Sequence, residues 1–298
     1  MTDSILHHDD LLVATLASGS KGNCTYIGTE TDGILVDCGL STKQVFLRLK
    51  ALNLHQSTLH GVLITHEHSD HVGAARVLSV KLRKRTGKDI PFFMSRGTRS
   101  GVRESCLPAR IEEVVSGRSF EIANFQIEPW TIPHDTHDPI AYAVGYQDAR
   151  AGVITDLGRS TRLVERQLSS LDIAVLEFNH DLQMLMEGQY PWRLKQRVRS
   201  AHGHLSNEQA AQVLRRGASS RLRHLVLAHL SEDNNLPEKA LDAATKGLQD
   251  SAADHTVIHV ATQRSPLAPL RQPTHQAGPT AMSTAISPQS PDQLSLFI

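Results

Sequence analysis

The six residues His66-Glu-His-Ser-Asp-His71 follow directly on an apolar run, Gly61-Val-Leu-Ile-Thr65, and that junction constrains the fold more than any other feature of the chain. The run reads as a buried strand, because its aliphatic residues show no polar alternation. Three imidazoles and a carboxylate then emerge at the strand's C-terminal edge, on a predicted loop that needs no helix to space them. His66 and His68, two residues apart, can face one ion, while Asp70 and His71 turn toward a second. Neutral imidazoles mixed with carboxylates suit Zn, Mn, Fe or Ni better than Ca or Mg. Seventeen histidines in 298 residues give the chain further ligands of the same kind.

Up to residue 263, short β-rich runs alternate with amphipathic helical ones. Leu11–Ala17, 25–28 and 34–38 read as strands, and Ser41 as the N-cap of a helix reaching about Leu52. Residues 73–85 are predicted helical, and 112–155 mostly strands. Helices are expected at 161–169, 192–200, 207–216 and 237–248, with strands at 173–177, 225–228 and 256–260. Ser206-Asn-Glu-Gln209 has the spacing of a capping box. Two groups of strands interleaved with helices predict a four-layer αββα sandwich over residues 1–263. The composition changes at Arg264: residues 264–298 hold six of the 13 prolines and three charged residues. That stretch is predicted to be a disordered linker, ending in an apolar cluster, Gln293-Leu-Ser-Leu-Phe-Ile298. An exposed Leu/Phe group on a tether points to a binding partner, with a terminal strand docked on its own domain as the alternative.

Charge and cysteine content exclude several classes. With 31 basic and 31 acidic residues, the chain as a whole has no electrostatic bias toward nucleic acid. The distribution is uneven, however: residues 191–224 carry eight Lys/Arg against one acid, Glu208, and a second basic run spans residues 81–88. No stretch approaches the roughly 18 apolar residues of a membrane span, and the first residues lack the basic n-region of a signal peptide. A cytoplasmic protein with no membrane partner is expected. Cys24, Cys38 and Cys106 are odd in number and lack zinc spacing, so neither a disulfide framework nor a Cys-rich metal site is predicted.

The pattern HxHxDH after an apolar strand resembles the metallo-β-lactamase fold superfamily. Further motifs, Ala17-Ser-Gly-Ser-Lys-Gly-Asn-Cys24, Leu35-Val-Asp-Cys-Gly39, Glu177-Phe-Asn-His-Asp181, Gly188-Gln-Tyr-Pro-Trp192, Gly203-His-Leu-Ser-Asn207 and His229-Leu-Ser-Glu-Asp-Asn-Asn235, resemble its YycJ/WalJ subgroup over roughly residues 11–262. Members of that subgroup are metal-dependent nucleases implicated in DNA processing. The resemblance implies two divalent ions, Zn or Mn. His66, His68 and His134 would hold the first, Asp70, His71 and His229 the second, and Asp156 would bridge them. His137 competes with His134, which is preferred because it directly follows the strand.

Asp70 and Asp156 are the implied catalytic carboxylates, with His180 and His204 as further candidates. His204-Leu-Ser206 is similar to the His and hydroxyl pair that lies near the scissile phosphate in transfer-RNA-processing members of the superfamily. For both histidines a hydrogen-bonded structural role near a helix start is the alternative. Arg193, Lys195, Arg197 and Arg199, beside His204 in sequence, are the expected phosphate contacts. The resemblance implies an exonuclease acting 5′ to 3′ on duplex DNA in repair or replication. A ribonuclease and a thioester or lactone hydrolase are the alternatives that the superfamily keeps open. Finally, Gln293, Leu294, Leu296 and Phe297 resemble the pentapeptide with which bacterial replication and repair proteins bind the β sliding clamp.

Overall fold

The computed structural model describes residues 10–275. Six strands appear first: β1 (Leu11–Ala17), β2 (Cys24–Gly28), β3 (Asp32–Val36), β4 (Thr58–Leu63), β5 (Phe92–Ser95) and β6 (Ile111–Val114). Seven more follow: β7 (Phe120–Ile122), β8 (Phe125–Thr131), β9 (Ile140–Tyr146), β10 (Ala149–Ile154), β11 (Ile173–Glu177), β12 (His224–Ala228) and β13 (Val257–Val260). A last strand, β14 (Leu270–Gln272), returns to the first sheet. The two sheets run β14-β1-β2-β3-β4-β5-β6 and β13-β12-β11-β10-β9-β8-β7. Each combines an antiparallel half with a parallel half, the parallel ladders being β3–β6 and β10–β13.

Helices cover the outer faces: α1 (Thr42–Ala51), α2 (Ser69–Val72), α3 (Ala75–Thr86), α4 (Arg96–Gly101), α5 (Arg162–Leu168), α6 (Leu182–Glu187), α7 (Trp192–Val198), α8 (Asn207–Gly217) and α9 (Pro237–Gln249). Three apolar clusters mark the three interfaces of the four layers. Val45, Leu49, Leu78 and Leu82 of α1 and α3 pack on the first sheet. Val13, Ile34, Tyr142 and Val175 meet between the sheets. Val164, Val213, Leu214 and Ala244 of α5, α8 and α9 pack on the second. The predicted αββα sandwich is the observed one. Ser41 caps α1 by accepting from the Gln44 N–H, and Ser206 and Gln209 complete the capping box of α8.

Two expectations are corrected. The boundary at 263 falls short, because residues 264–275 pack on the domain. The Leu267 N–H donates to Thr15 O, β14 pairs antiparallel with β1, and Leu270 is buried between the sheets. Pro266, Pro269 and Pro273 flank an edge strand, where a missing N–H costs nothing, so a proline-rich composition hid a paired segment. The ligand run is also not wholly a loop: Asp70 and His71 sit on the single turn of α2, which begins after His68. Residues 276–298, including the Gln293–Phe297 pentapeptide, lie outside the described residues. Among the described residues no helix is long and apolar enough to cross a membrane. Cys24 and Cys38 are buried free thiols in the core, and Cys106 is exposed.

Candidate metal centre

The functional side chains gather where strands of both sheets end. β3 and β4 deliver Asp37 and His66 from the first sheet; β8, β10, β11 and β12 deliver His134, Asp156, Glu177 and His229 from the second. Parallel strands put their C-terminal ends on one edge, and two such edges face each other across the sandwich. Three of these residues turn into left-handed backbone within two residues of their strands' ends: Asp37 (φ 62°), Asp156 (φ 58°) and His229 (φ 55°). Non-glycine residues rarely hold that conformation, and it collects at functional sites because the surrounding structure enforces it.

The imidazoles form two interlocking groups. His66 Nε2 and His134 Nε2 lie 3.1 and 3.3 Å from His68 Nδ1. Asp70, His71 and His229 form the second group, with Asp70 Oδ2 3.4 Å from His71 Nε2 and 3.5 Å from His229 Nε2. Asp156 reaches toward both. Its Oδ2 is 3.0 Å from His71 Nε2, and its Oδ1 is 3.7 Å from His134 Nε2. The donor atoms of each group lie within 4.8 Å of one another.

The opposite ring nitrogens explain why these donors converge. Nδ1 of His66 lies 3.0 Å from Thr65 Oγ1, that of His71 2.7 Å from Asp37 Oδ2, that of His134 3.1 Å from Gly203 O, and that of His229 3.1 Å from Glu177 Oε1. Anchoring one nitrogen in this way fixes the ring and frees Nε2 for a metal. Gly203 carries its carbonyl to His134 because it has no side chain. A Cβ there would come within 2.2 Å of the Arg197 and Val198 carbonyl oxygens.

The charge balance also suits a cation. Asp37, Asp156 and Glu177 are all at most 2% exposed, an unusual density of buried carboxylate. Asp156 Oδ2 and His229 Nε2 have no hydrogen-bond partner among the described residues. Burial opposes charge on His71, but Asp156 and Asp37 overcome it and raise that imidazole. Burial likewise opposes charge on His229, and Asp156, Asp70 and Glu177 push it up to about 10. Burial instead prevails at His66, which falls well below the usual imidazole value. The donor set of imidazoles and carboxylates, with orphaned atoms at its centre, fits divalent ions.

A match to the beta-lactamase superfamily domain runs over residues 33–230, which include both groups of donors. The chain belongs to the beta-lactamase superfamily. Exodeoxyribonuclease YycJ of Bacillus anthracis is 33% identical over 240 residues, covering 80% of this chain and 89% of the relative. Exodeoxyribonuclease WalJ of Streptococcus pneumoniae serotype 2 is 34% identical over 230 residues, covering 76% and 83%. The metallo-beta-lactamase fold protein YhfI from Bacillus subtilis superposes with a TM-score of 0.64 at 14% identity, over 87% of this chain and 99% of that one; it speaks for the fold.

Other candidates sort differently in this superfamily member. His137 is 64% exposed and bonded to Glu67 at 2.6 Å, away from the imidazole groups, so His134 takes the central place. His204 lines a cleft of about 180 Å³ together with His68, Asp70, Asp156 and His229. His180 is absent from that lining; it is buried, bridges to Ser206, and burial pushes it down to about 4. Lys195 leaves the set of phosphate contacts. It is only 9% exposed, and its Nζ donates to Met186 O at 2.6 Å, because the inner face of α7 lies against α6. Arg193 and Arg199 are exposed, and Arg197 lines the cleft paired to Asp135. The basic run 81–88 falls on the end of α3 and beyond it, where Arg83 pairs with Asp89 and Arg85 lies over the Phe46 ring.

The sequence reading omitted Glu177, Asp37 and Asn23. Glu177 Oε1 lies 2.7 Å from His204 Nδ1 and 3.1 Å from His229 Nδ1, while Oε2 accepts from the Leu157 and Leu205 N–H groups. Asn23 Nδ2 sits 2.9 Å from His71 Nε2 and 3.3 Å from Asp70 Oδ2. A signal was available: a charged residue closing an apolar strand, as in Ile-Leu-Val-Asp37 and Ala-Val-Leu-Glu177, is buried only with partners.

Proposed function

We propose that the chain is a metal-dependent exodeoxyribonuclease of the bacterial cytoplasm, acting 5′ to 3′ on duplex DNA in repair or replication. Two ions, Zn or Mn, are held by His66, His68 and His134 and by Asp70, His71 and His229, with Asp156 shared. One observation carries the reading: Asp156 stands between two groups of three ligands, and four of their five imidazoles, His66, His71, His134 and His229, are anchored from behind. Ions held there lower the pKa of water and neutralise charge on the phosphoryl oxygens. The remaining work belongs to side chains. Glu177 outweighs burial and raises His204, which favours the protonated imidazole at the cleft wall. It can donate that proton to a phosphoryl or leaving oxygen. Arg193, Arg197 and Arg199 offer phosphate contacts on one side of the cleft, and the names of the YycJ and WalJ relatives support DNA as the polymer.

Protein stripped of metal and given end-labelled duplex DNA is expected to shorten it stepwise once Mn or Zn is restored, with polarity read from the label. Absence of cleavage under both metals, with a thioester hydrolysed instead, overturns the reading.

The catalytic unit extends to residue 275 in this proposal, leaving 276–298 as a tether for Gln293, Leu294, Leu296 and Phe297 to engage the β sliding clamp. A tether raises the local concentration of enzyme on clamp-loaded DNA without adding a catalytic contact. Deleting residues 293–298 is expected to abolish capture by immobilised clamp while short naked duplexes are still cut. Capture of the truncated protein at the wild-type level refutes the clamp assignment.

A further inference from the structure

Across His204 and His229 from the metal cleft lies a second cavity of about 190 Å³. The two share Ser20, Leu194, Val198 and both histidines, so they are adjoining subsites of one groove. Their chemistry differs. The metal cleft is lined by Asp70, Asp135, Asp156 and Arg197, whereas the second cavity has no Lys, Arg, Asp or Glu in its wall. A terminal phosphate bound there would meet no Lys or Arg, and the two histidines lie only on the side shared with the metal cleft. The lining instead combines the Tyr190 ring, the aliphatic Leu194, Val198 and Leu230, and the amides of Asn179 and Asn234.

Tyr190 is held by its hydroxyl, which donates to Asp233 Oδ2 at 3.0 Å, so the ring is fixed at the cavity wall. A fixed aromatic ring beside aliphatic walls, in a cavity that adjoins the metal cleft, matches a planar base.

We infer that this cavity is a nucleoside slot: it takes the base of the nucleotide whose phosphate occupies the metal cleft, stacking it on Tyr190 between aliphatic walls. The inference rests on the proposed phosphodiesterase reading and adds where substrate selectivity arises. Metal-loaded protein is assayed on the 5′- and 3′-(4-nitrophenyl phosphate) esters of thymidine and on methyl 4-nitrophenyl phosphate, which shares the leaving group but has no nucleoside. The quantity read is the ratio of kcat/KM for each nucleoside ester to that for the methyl ester. The wild-type ratio is expected to be well above one for at least one isomer. Tyr190→Ala should lower it by at least about fivefold, the lower end of what base stacking on an aromatic ring is worth. Tyr190→Phe, which keeps the ring, should retain most of it. A wild-type ratio near one for both isomers, or an unchanged ratio in Tyr190→Ala, overturns the slot while leaving DNA cleavage standing. Failure of the wild type to hydrolyse any of these esters and duplex DNA overturns the phosphodiesterase reading and the slot together.

Discussion

Asp156→Asn is expected to lower hydrolysis of end-labelled duplex DNA at least ~10³-fold, a barrier increase of about 4 kcal/mol. Asp156 is the carboxylate that reaches both ligand groups: its Oδ2 faces His71, and its Oδ1 lies 3.7 Å from His134 and 3.6 Å from His229. Its side chain is held well below the usual carboxylate range: His229 and His71 outweigh the burial that opposes its charge. Asparagine preserves the shape and tolerates the left-handed backbone at φ 58°, whereas alanine adds about 1–2 kcal/mol of backbone strain there. The Asn variant therefore isolates the loss of charge. Metal content by mass spectrometry should fall, while circular dichroism should report an intact fold. An Asn variant that binds metal and cuts DNA like the wild type would falsify the shared-ligand role.

How much of this architecture the residues announce depends on how local the cause is. The buried strand that precedes His66 and the capped starts of α1 and α8 follow from short-range patterns, and they hold in the structure. His134, three residues beyond β8, lies against His68, whereas His137 is exposed and bonded to Glu67. Errors appear where long-range packing decides. β14 forms because Leu270 fills a gap between the sheets 257 positions from its partner Val13, information that no composition window holds. Lys195 looked like a phosphate contact since it sits in a basic run, but the seven-residue α7 has an inner face, and position 195 falls on it. Glu177 and Asp37 were invisible as site residues for a related reason: each acts on an imidazole 52 or 34 positions away. Acidic strand ends are common, and only the assembled edge shows which imidazole each one anchors.

Glu177 is the sharper test of that lesson. Its carboxylate collects four hydrogen bonds with one charge, from His204 and His229 on Oε1 and from the Leu157 and Leu205 N–H groups on Oε2. Burial opposes the charge, but His204 and His229 pull the carboxyl down to about 2. In Glu177→Gln the amide NH2 must replace one of the two oxygens. Either choice turns donors toward donors, against the two imidazoles or against the two backbone N–H groups. Burial of such a mismatch costs about 1–3 kcal/mol of stability. Loss of the anchor behind His229 should weaken metal binding about 10- to 100-fold, as is usual when a group orienting a ligand is removed. Chelator competition reads this metal loss directly, and thermal unfolding reads the stability cost. Both effects should exceed those of Asp37→Asn: that change leaves a carbonyl oxygen for the Thr65 N–H and disturbs the anchor of a single imidazole, His71. If Glu177→Gln keeps wild-type affinity for metal and wild-type cleavage of DNA, then Glu177 only ties β11 to its neighbours, and His204 and His229 are oriented by packing alone.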